Sequence, residues 1–131
     1  MDYLLDTHTL IWILYGDSRV PKDLRETLNK PETDVFVSIA SLWEIAIKHS
    51  KNPQLMPITA DDIDNFIVKT KIRLINIRIE YLSNIKSIVD QNIHKDPFDH
   101  LLLAMAKEEK YTLLTHDETL AKYQGVPVKQ Y

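Results

Sequence analysis

Four acidic residues occupy positions from which one cation could be bound. Asp6 and Asp117 each follow a short apolar run, and Glu44 and Asp99 each fall in an early turn of a helical pattern. Grouped carboxylates repel one another and raise each other's pKa, so a fold that gathers them does so around a cation. Because Mg²⁺ takes oxygen ligands and keeps several waters, the four acids predict a site for Mg²⁺ or Mn²⁺.

Each of these acids also has a structural interpretation when it is taken singly. Asp6 and Asp117 could cap the helices that follow them, and Asp99 could be a first-turn acid that interacts with the helix dipole. Glu44 and Lys48 are four residues apart on one helix, which is the spacing of a weak surface ion pair. The prediction of a metal site therefore depends on the set and not on any one member.

The other possible ligands point away from zinc. The sequence has no cysteine, which removes thiolate zinc sites, disulfides and a cysteine nucleophile together. No His-Glu-x-x-His pattern occurs, and the histidines do not have the spacing of a zinc site: His8, His49, His94, His100 and His116. Oxygen ligands alone favour magnesium or manganese.

Short β-branched runs alternate with longer helical patterns, as in βαβ units. The predicted strands are Tyr3–Leu5, Val35–Val37, Leu74–Ile77, Tyr111–Leu114 and Val126–Lys129. The predicted helices are Thr7–Tyr15, Pro21–Asn29, Ile39–Ser50 after a Ser38 cap, 60–70 after a Thr59 cap, Tyr81–Gln91, Pro97–Glu109 and Glu118–Tyr123. This order predicts a three-layer α/β/α fold with a central parallel sheet of about five strands, and ligands bind such sheets at the carboxyl ends of the strands.

Size and composition set further limits. The 131 residues favour one domain spanning 1–131. The net charge of −3 counts against a nucleic-acid partner, although a carboxylate cluster would mask basic residues elsewhere. The start has no signal-peptide pattern, and the longest apolar run, Leu10–Tyr15, is too short to cross a membrane. We therefore expect a cytoplasmic protein with no membrane contact.

Four segments carry a family resemblance: Leu4–Trp12, Ser38–Lys48, Asp96–Ala104 and Leu114–Asp117. In their order and spacing they resemble the PIN-domain family, and within it the VapC-like toxins of toxin–antitoxin pairs. The resemblance spans nearly the whole chain. It implies a metal-dependent endoribonuclease that uses Mg²⁺ or Mn²⁺, an RNA substrate and a cognate antitoxin protein.

By position, the resemblance implies that the catalytic and metal-binding acids are Asp6, Glu44, Asp99 and Asp117. Thr115 matches a hydroxyl residue near the site. Asp96 competes for the third position, and Asp99 is preferred because it precedes the Leu-Leu-Leu-Ala run. Asp96 then becomes a helix cap or an outer neighbour of the site.

Substrate and partner contacts can also be predicted. Lys48 is the basic residue expected to contact the RNA backbone, although it could be an ordinary solvated charge. The uninterrupted apolar run Leu10–Tyr15 exceeds what one buried helix face needs, so it could bind an antitoxin helix or form a homodimer interface.

Two other functions fit parts of this pattern. The alternative is a catalytically inactive domain that only binds RNA or protein. A haloacid-dehalogenase-type phosphatase would need a second acid at position 8, where this chain has His8.

Overall fold

A central sheet of five parallel strands organises the chain, and the computed structural model describes residues 1–131. The strands lie in the order β3-β2-β1-β4-β5, and every neighbouring pair is parallel. Their bounds are β1 Asp2–Leu5, β2 Asp34–Ser38, β3 Arg73–Ile75, β4 Thr112–Thr115 and β5 Val128–Gln130. The predicted three-layer parallel α/β fold is confirmed, with shifts of one or two residues at the strand ends.

Seven helices connect and cover the strands. They are α1 Thr7–Tyr15, α2 Lys22–Asn29, α3 Ile39–Lys51, α4 Ala60–Ile67, α5 Ile79–Ser83, α6 Ile85–Val89 and α7 Pro97–Glu109. Both predicted caps are present: the Ser38 hydroxyl accepts from Ala40 N at 3.0 Å, and Thr59 and Asp62 form a reciprocal capping box. No helix is long and apolar enough to cross a bilayer.

Alternating side chains of the strands build a core on each face of the sheet. Leu4, Phe36 and Leu113 belong to the core under α5, α6 and α7. Their neighbours Leu5 and Leu114 belong to the core under α1, α2 and α4. Strands with two apolar faces are typical of parallel sheets covered by helices on both sides. The same topology leaves the carboxyl ends of β1 and β4, which are adjacent, at one edge.

Two helix predictions were wrong. The helix predicted over Tyr81–Gln91 is broken at Asn84, whose side-chain nitrogen donates to Glu80 O and to Glu108 Oε2, the latter at 2.9 Å. The helix predicted over Glu118–Tyr123 is only a 3₁₀ turn at Leu120–Lys122, because Tyr123 is already extended. In addition, α4 ends at Ile67, and Pro21 lies at the N-cap of α2 instead of inside it.

The apolar run of α1 is largely covered. Leu10 and Ile11 are buried, and Trp12, Ile13 and Leu14 are half-buried against the core. Tyr15 is 58% exposed. Burial on the sheet therefore accounts for most of this run.

Candidate metal centre

A cavity of about 230 Å³ lies at the carboxyl edge of the sheet. The structure brings all four predicted acids to its wall, together with Lys48 and Asp96. The complete lining is Asp6, Thr7, His8, Glu44, Lys48, His94, Asp96, Asp99, Asp117 and Leu120. A larger cavity of about 410 Å³ lies between α1, α2 and α4, but no acidic residue lines it. Of these two cavities, the smaller one fits the predicted chemistry.

Asp6 lies at the junction of β1 and α1 and is only 5% exposed. One oxygen, Oδ1, caps α1 by accepting from Thr9 N at 2.8 Å. The other, Oδ2, accepts from the Thr115 hydroxyl at 2.5 Å. The structural and functional interpretations of Asp6 therefore coexist, because the capping carboxylate also faces the cavity. Thr115 is not part of the cavity wall and acts through this hydrogen bond.

Glu44 reaches the cavity from the second turn of α3 and is buried. Its Oε1 accepts from the Thr7 hydroxyl at 2.7 Å, and Ser41 is the other partner of that hydroxyl at 3.0 Å. Its Oε2 lies 2.6 Å from Lys48 Nζ. Lys48 thus supplies a positive charge to a buried carboxylate and is more than a solvated residue on the helix surface.

Asp99 lies in the first turn of α7, where Asp96 is the N-cap. Asp96 Oδ1 accepts from Phe98 N at 2.8 Å and from Asp99 N at 3.4 Å, as the cap prediction requires. The pKa of Asp99 is raised to about 7, mainly because the carboxyl is buried and next because Asp96 is close by. The charge of Glu44 raises it further, and the hydrogen bond from His94 opposes the shift.

Asp117 follows β4 and is exposed at the mouth of the cavity. Its Oδ1 accepts from Thr119 N at 2.9 Å, and its own backbone N donates to Thr115 Oγ1 at 3.0 Å. Thr115 therefore connects Asp117 to Asp6 through one hydroxyl.

The sequence did not single out His94. Its Nε2 lies 2.9 Å from Asp99 Oδ2, and the ligand atoms of His94, Asp99 and Asp117 all lie within 4.8 Å of one another. The loop that carries it is held by the Tyr123 hydroxyl, which accepts from His94 N at 3.1 Å, and by His100 Nε2, 2.6 Å from His94 O. The only sequence signal was its position just before the Asp96-Pro97 helix start.

The donor set fits a divalent cation. Five carboxylates, the four predicted acids and Asp96, line a small cavity with one ammonium group, Lys48, so an excess of negative charge remains there. The pKa of Asp99 is raised first by burial and then by the negative charges of Asp96 and Glu44. The carboxylate oxygens suit Mg²⁺ or Mn²⁺. Asp6 and Glu44 lie outside the compact group formed by His94, Asp99 and Asp117, so metal ligation by these two acids stays a prediction.

Comparison with known proteins places this geometry in context. The family model of the PIN domain matches residues 3–126. No curated protein sequence matches the chain. Three solved structures share the fold at low identity. The first is VapBC2 from Rickettsia felis bound to a promoter DNA fragment (TM-score 0.78, 16% identity, covering 99% of this chain and 98% of that one). The second is a toxin–antitoxin complex from Klebsiella pneumoniae (TM-score 0.63, 19% identity, covering 98% of this chain and 96% of that one). The third is VapC20 from Mycobacterium tuberculosis, described as a toxin that cleaves the sarcin–ricin loop (TM-score 0.61, 17% identity, covering 95% of this chain and 98% of that one).

Proposed function

The chain belongs to the PIN-domain family, and we propose that it is a metal-dependent endoribonuclease, the toxin of a toxin–antitoxin pair. The observation that carries the proposal is the convergence of four carboxylates from four segments on one cavity at the carboxyl edge of the sheet. The raised pKa of Asp99 agrees with it, because burial and, after it, the nearby Asp96 make the ionised carboxylate unfavourable when no cation is bound.

Asp6, Glu44, Asp99 and Asp117 would hold Mg²⁺ or Mn²⁺, with His94 beside Asp99. A bound divalent cation supplies a nucleophilic water and relieves the charge of the phosphate. Each acid is already oriented by a hydrogen bond from Thr9, Thr7 or Thr119, or through His94, so little reorganisation is needed for binding.

The remaining residues position the acids and the substrate. Thr115 fixes Asp6 and Asp117 relative to each other, and Asp96 fixes the start of α7. Lys48 is 44% exposed at its side chain, so its ammonium can contact a phosphate while it stays next to Glu44. Single-stranded or looped RNA is the expected substrate, since proteins read RNA bases where they are unpaired.

Cleavage of an unstructured RNA by the purified chain tests this function. We expect cleavage in Mg²⁺ or Mn²⁺ and none in EDTA. The cleavage rate should fall by about 100-fold or more in Asp6→Asn and in Asp99→Asn, because each variant loses one metal ligand. The matched control is Asp61→Asn, which removes an exposed acid in α4 away from the cavity. Cleavage that survives in EDTA and in Asp6→Asn overturns the proposal. Absence of any cleavage, with no Mn²⁺ bound, would favour the inactive binding module.

Two protein partners are also proposed: a cognate antitoxin and a second copy of the chain. The toxin–antitoxin complex with the same fold supports the first. Exposed aromatic residues, Tyr15 at 58% and Trp43 at 57%, are available for such contacts. Mass measurement in solution, alone and with the product of the neighbouring gene, tests both; a monomer that binds nothing contradicts them.

A further inference from the structure

A row of rings runs along the surface beside the acidic cavity. We call His8, Trp12, His116 and Tyr131 the aromatic row. The ring centroids are 6.0 Å apart for His8 and Trp12, 5.4 Å for Trp12 and His116, and 5.2 Å for His116 and Tyr131. Nothing in the metal chemistry requires these rings to lie together.

The aromatic row begins at the cavity itself. His8 is one of the residues that line the cavity, and His116 directly precedes Asp117. Both histidines are exposed, while Trp12 and Tyr131 are half-buried. A chain whose phosphate reaches the acids would therefore pass next to the exposed side chains of these two histidines.

Arg19 adds a planar cation to the aromatic row. Its guanidinium carbon lies 4.3 Å from the centroid of the Trp12 ring. Asp17 fixes the guanidinium with bonds of 3.1 Å from Nε and 2.7 Å from Nη2, and its Oδ1 also accepts from Arg19 N at 2.9 Å. Arg19 is 58% exposed at its side chain and yet held in place, which lowers the entropic loss on binding a planar group.

Tyr131 anchors the far end of the aromatic row. Its hydroxyl lies 2.6 Å from Thr9 Oγ1, and Thr9 Oγ1 also donates to Leu114 O at 3.3 Å. His116 Nδ1 is hydrogen-bonded to the main-chain oxygen of Tyr131. The rings are thus attached to α1, which begins just after Asp6, and to the end of β4, two residues before Asp117.

We propose that the aromatic row, with Arg19, binds unpaired bases of single-stranded RNA by stacking, next to the phosphate that the acids act on. The inference rests on the proposed function for the identity of the nucleic acid. Aromatic and guanidinium faces stack on any base, so they suit single strands and not duplexes, whose bases are already stacked. A purely structural role explains Trp12, which packs on the core, and the hydrogen-bonded His116, but not the exposed His8 at the cavity wall.

Binding can be measured separately from cleavage. Fluorescence anisotropy of a fluorescein-labelled single-stranded RNA of about twelve nucleotides, a length on the scale of one protein site, is recorded in EDTA, with the same sequence as a duplex for comparison. The variants are Trp12→Leu, His116→Ala and Arg19→Gln. The matched controls are Tyr15→Leu, an exposed aromatic on the same helix, and Arg78→Gln, an arginine 5.6 Å from the Tyr81 ring and paired with Glu109.

We expect the wild-type chain to bind the single strand more tightly than the duplex. Trp12→Leu should weaken binding by about 5- to 100-fold, the range found when one stacking side chain is removed. His116→Ala and Arg19→Gln should weaken it by several-fold, and the two controls should bind as the wild type does. Because Trp12 is half-buried, His116→Ala keeps the test valid if Trp12→Leu unfolds.

Each other result is decisive. Equal binding of strand and duplex, or unchanged binding in His116→Ala and Arg19→Gln, overturns the stacking role while cleavage in Mg²⁺ can persist. No binding of single-stranded RNA overturns it as well. If the wild type binds RNA through the aromatic row but does not cleave it in Mg²⁺ or Mn²⁺, the proposed nuclease activity is overturned and the stacking role stands.

Discussion

The hydroxyl of Thr115 donates a 2.5 Å hydrogen bond to Oδ2 of Asp6, although the two residues are 109 positions apart in the chain. The bond joins the carboxyl ends of β1 and β4 through buried side chains. The same hydroxyl accepts from Asp117 N, so it sets the relative positions of two of the proposed metal-binding acids. A single side chain outside the cavity wall is therefore hydrogen-bonded to both acids.

Replacing this hydroxyl gives the first prediction. Thr115→Val keeps the shape of the side chain but removes both hydrogen bonds, and we expect cleavage to fall by about 10- to 100-fold, the usual effect of losing an outer partner of a metal ligand. Mn²⁺ affinity, measured by calorimetry, should weaken in parallel. Thr115→Ser keeps the hydroxyl and should retain most activity. If Thr115→Val cleaves RNA as fast as the wild type, the positioning role of Thr115 is contradicted.

The ion pair of Lys48 with Glu44 gives the second prediction. Without a cation, Lys48 is the nearest compensating charge for the buried Glu44 carboxylate. In EDTA, we expect Lys48→Met to lower the free energy of unfolding by up to about 1 kcal/mol, a small effect because Lys48 is well exposed to solvent. In Mn²⁺ the decrease should be smaller, because the cation then compensates the Glu44 charge. Thermal unfolding with and without Mn²⁺ measures this difference.

Lys51→Met is the control for that comparison. Lys51 lies at the end of the same helix and forms no ion pair. Its substitution should change neither the metal-free nor the Mn²⁺-bound melting temperature. A loss in Lys48→Met that is the same in EDTA and in Mn²⁺ would show that the pair is only a helix contact.

The third prediction concerns the pH dependence of stability. The pKa of Asp99 is about 7 in the folded protein against an ordinary value of 3.8, so the folded state keeps a proton that the unfolded chain releases. The contribution of Asp99 to the free energy of unfolding is complete below its ordinary pKa of 3.8 and is lost as pH rises through about 7. In EDTA, the melting temperature of the wild type should fall from pH 5 to pH 8 more steeply than that of Asp99→Asn.

Other groups titrate in both proteins, so the difference between the two curves is the measurement. Mn²⁺ requires the ionised carboxylate, and its stabilisation of the wild type should therefore grow from pH 5 to pH 8. Parallel pH curves for wild type and Asp99→Asn would show that Asp99 titrates near its ordinary pKa.

Much of this arrangement could be predicted from the sequence because the signals are local. Asp6 and Asp117 end apolar strands, and in a parallel sheet the carboxyl ends share an edge. The bounds of α1 and α7 were predicted correctly because Asp6 and Asp96 are strong N-caps and Pro97 suits a first helical position. Where local propensity and tertiary structure agree, sequence reasoning succeeds.

The rest depends on long-range contacts. His94 reaches Asp99 because Tyr123, 29 residues later, holds its loop. Asn84, where the predicted helix is broken, donates to Glu108 of α7, a contact that a one-dimensional pattern cannot reveal. The aromatic row combines His8 and Trp12 of α1 with His116 after β4 and Tyr131 after β5, and no spacing in the sequence relates the two pairs.

The fourth prediction separates stability from function at two helix caps. Ser38 caps α3, which carries Glu44 and Lys48, and Thr59 caps α4, which lines no part of the acidic cavity. Each change to alanine should destabilise the fold by about 0.5–2 kcal/mol in chemical denaturation. At a temperature where both variants stay folded, Ser38→Ala should also lower cleavage several-fold, because fraying at the start of α3 moves Glu44, whereas Thr59→Ala should cleave at the wild-type rate. Equal cleavage by both variants would show that α3 is held by its packing and not by its cap.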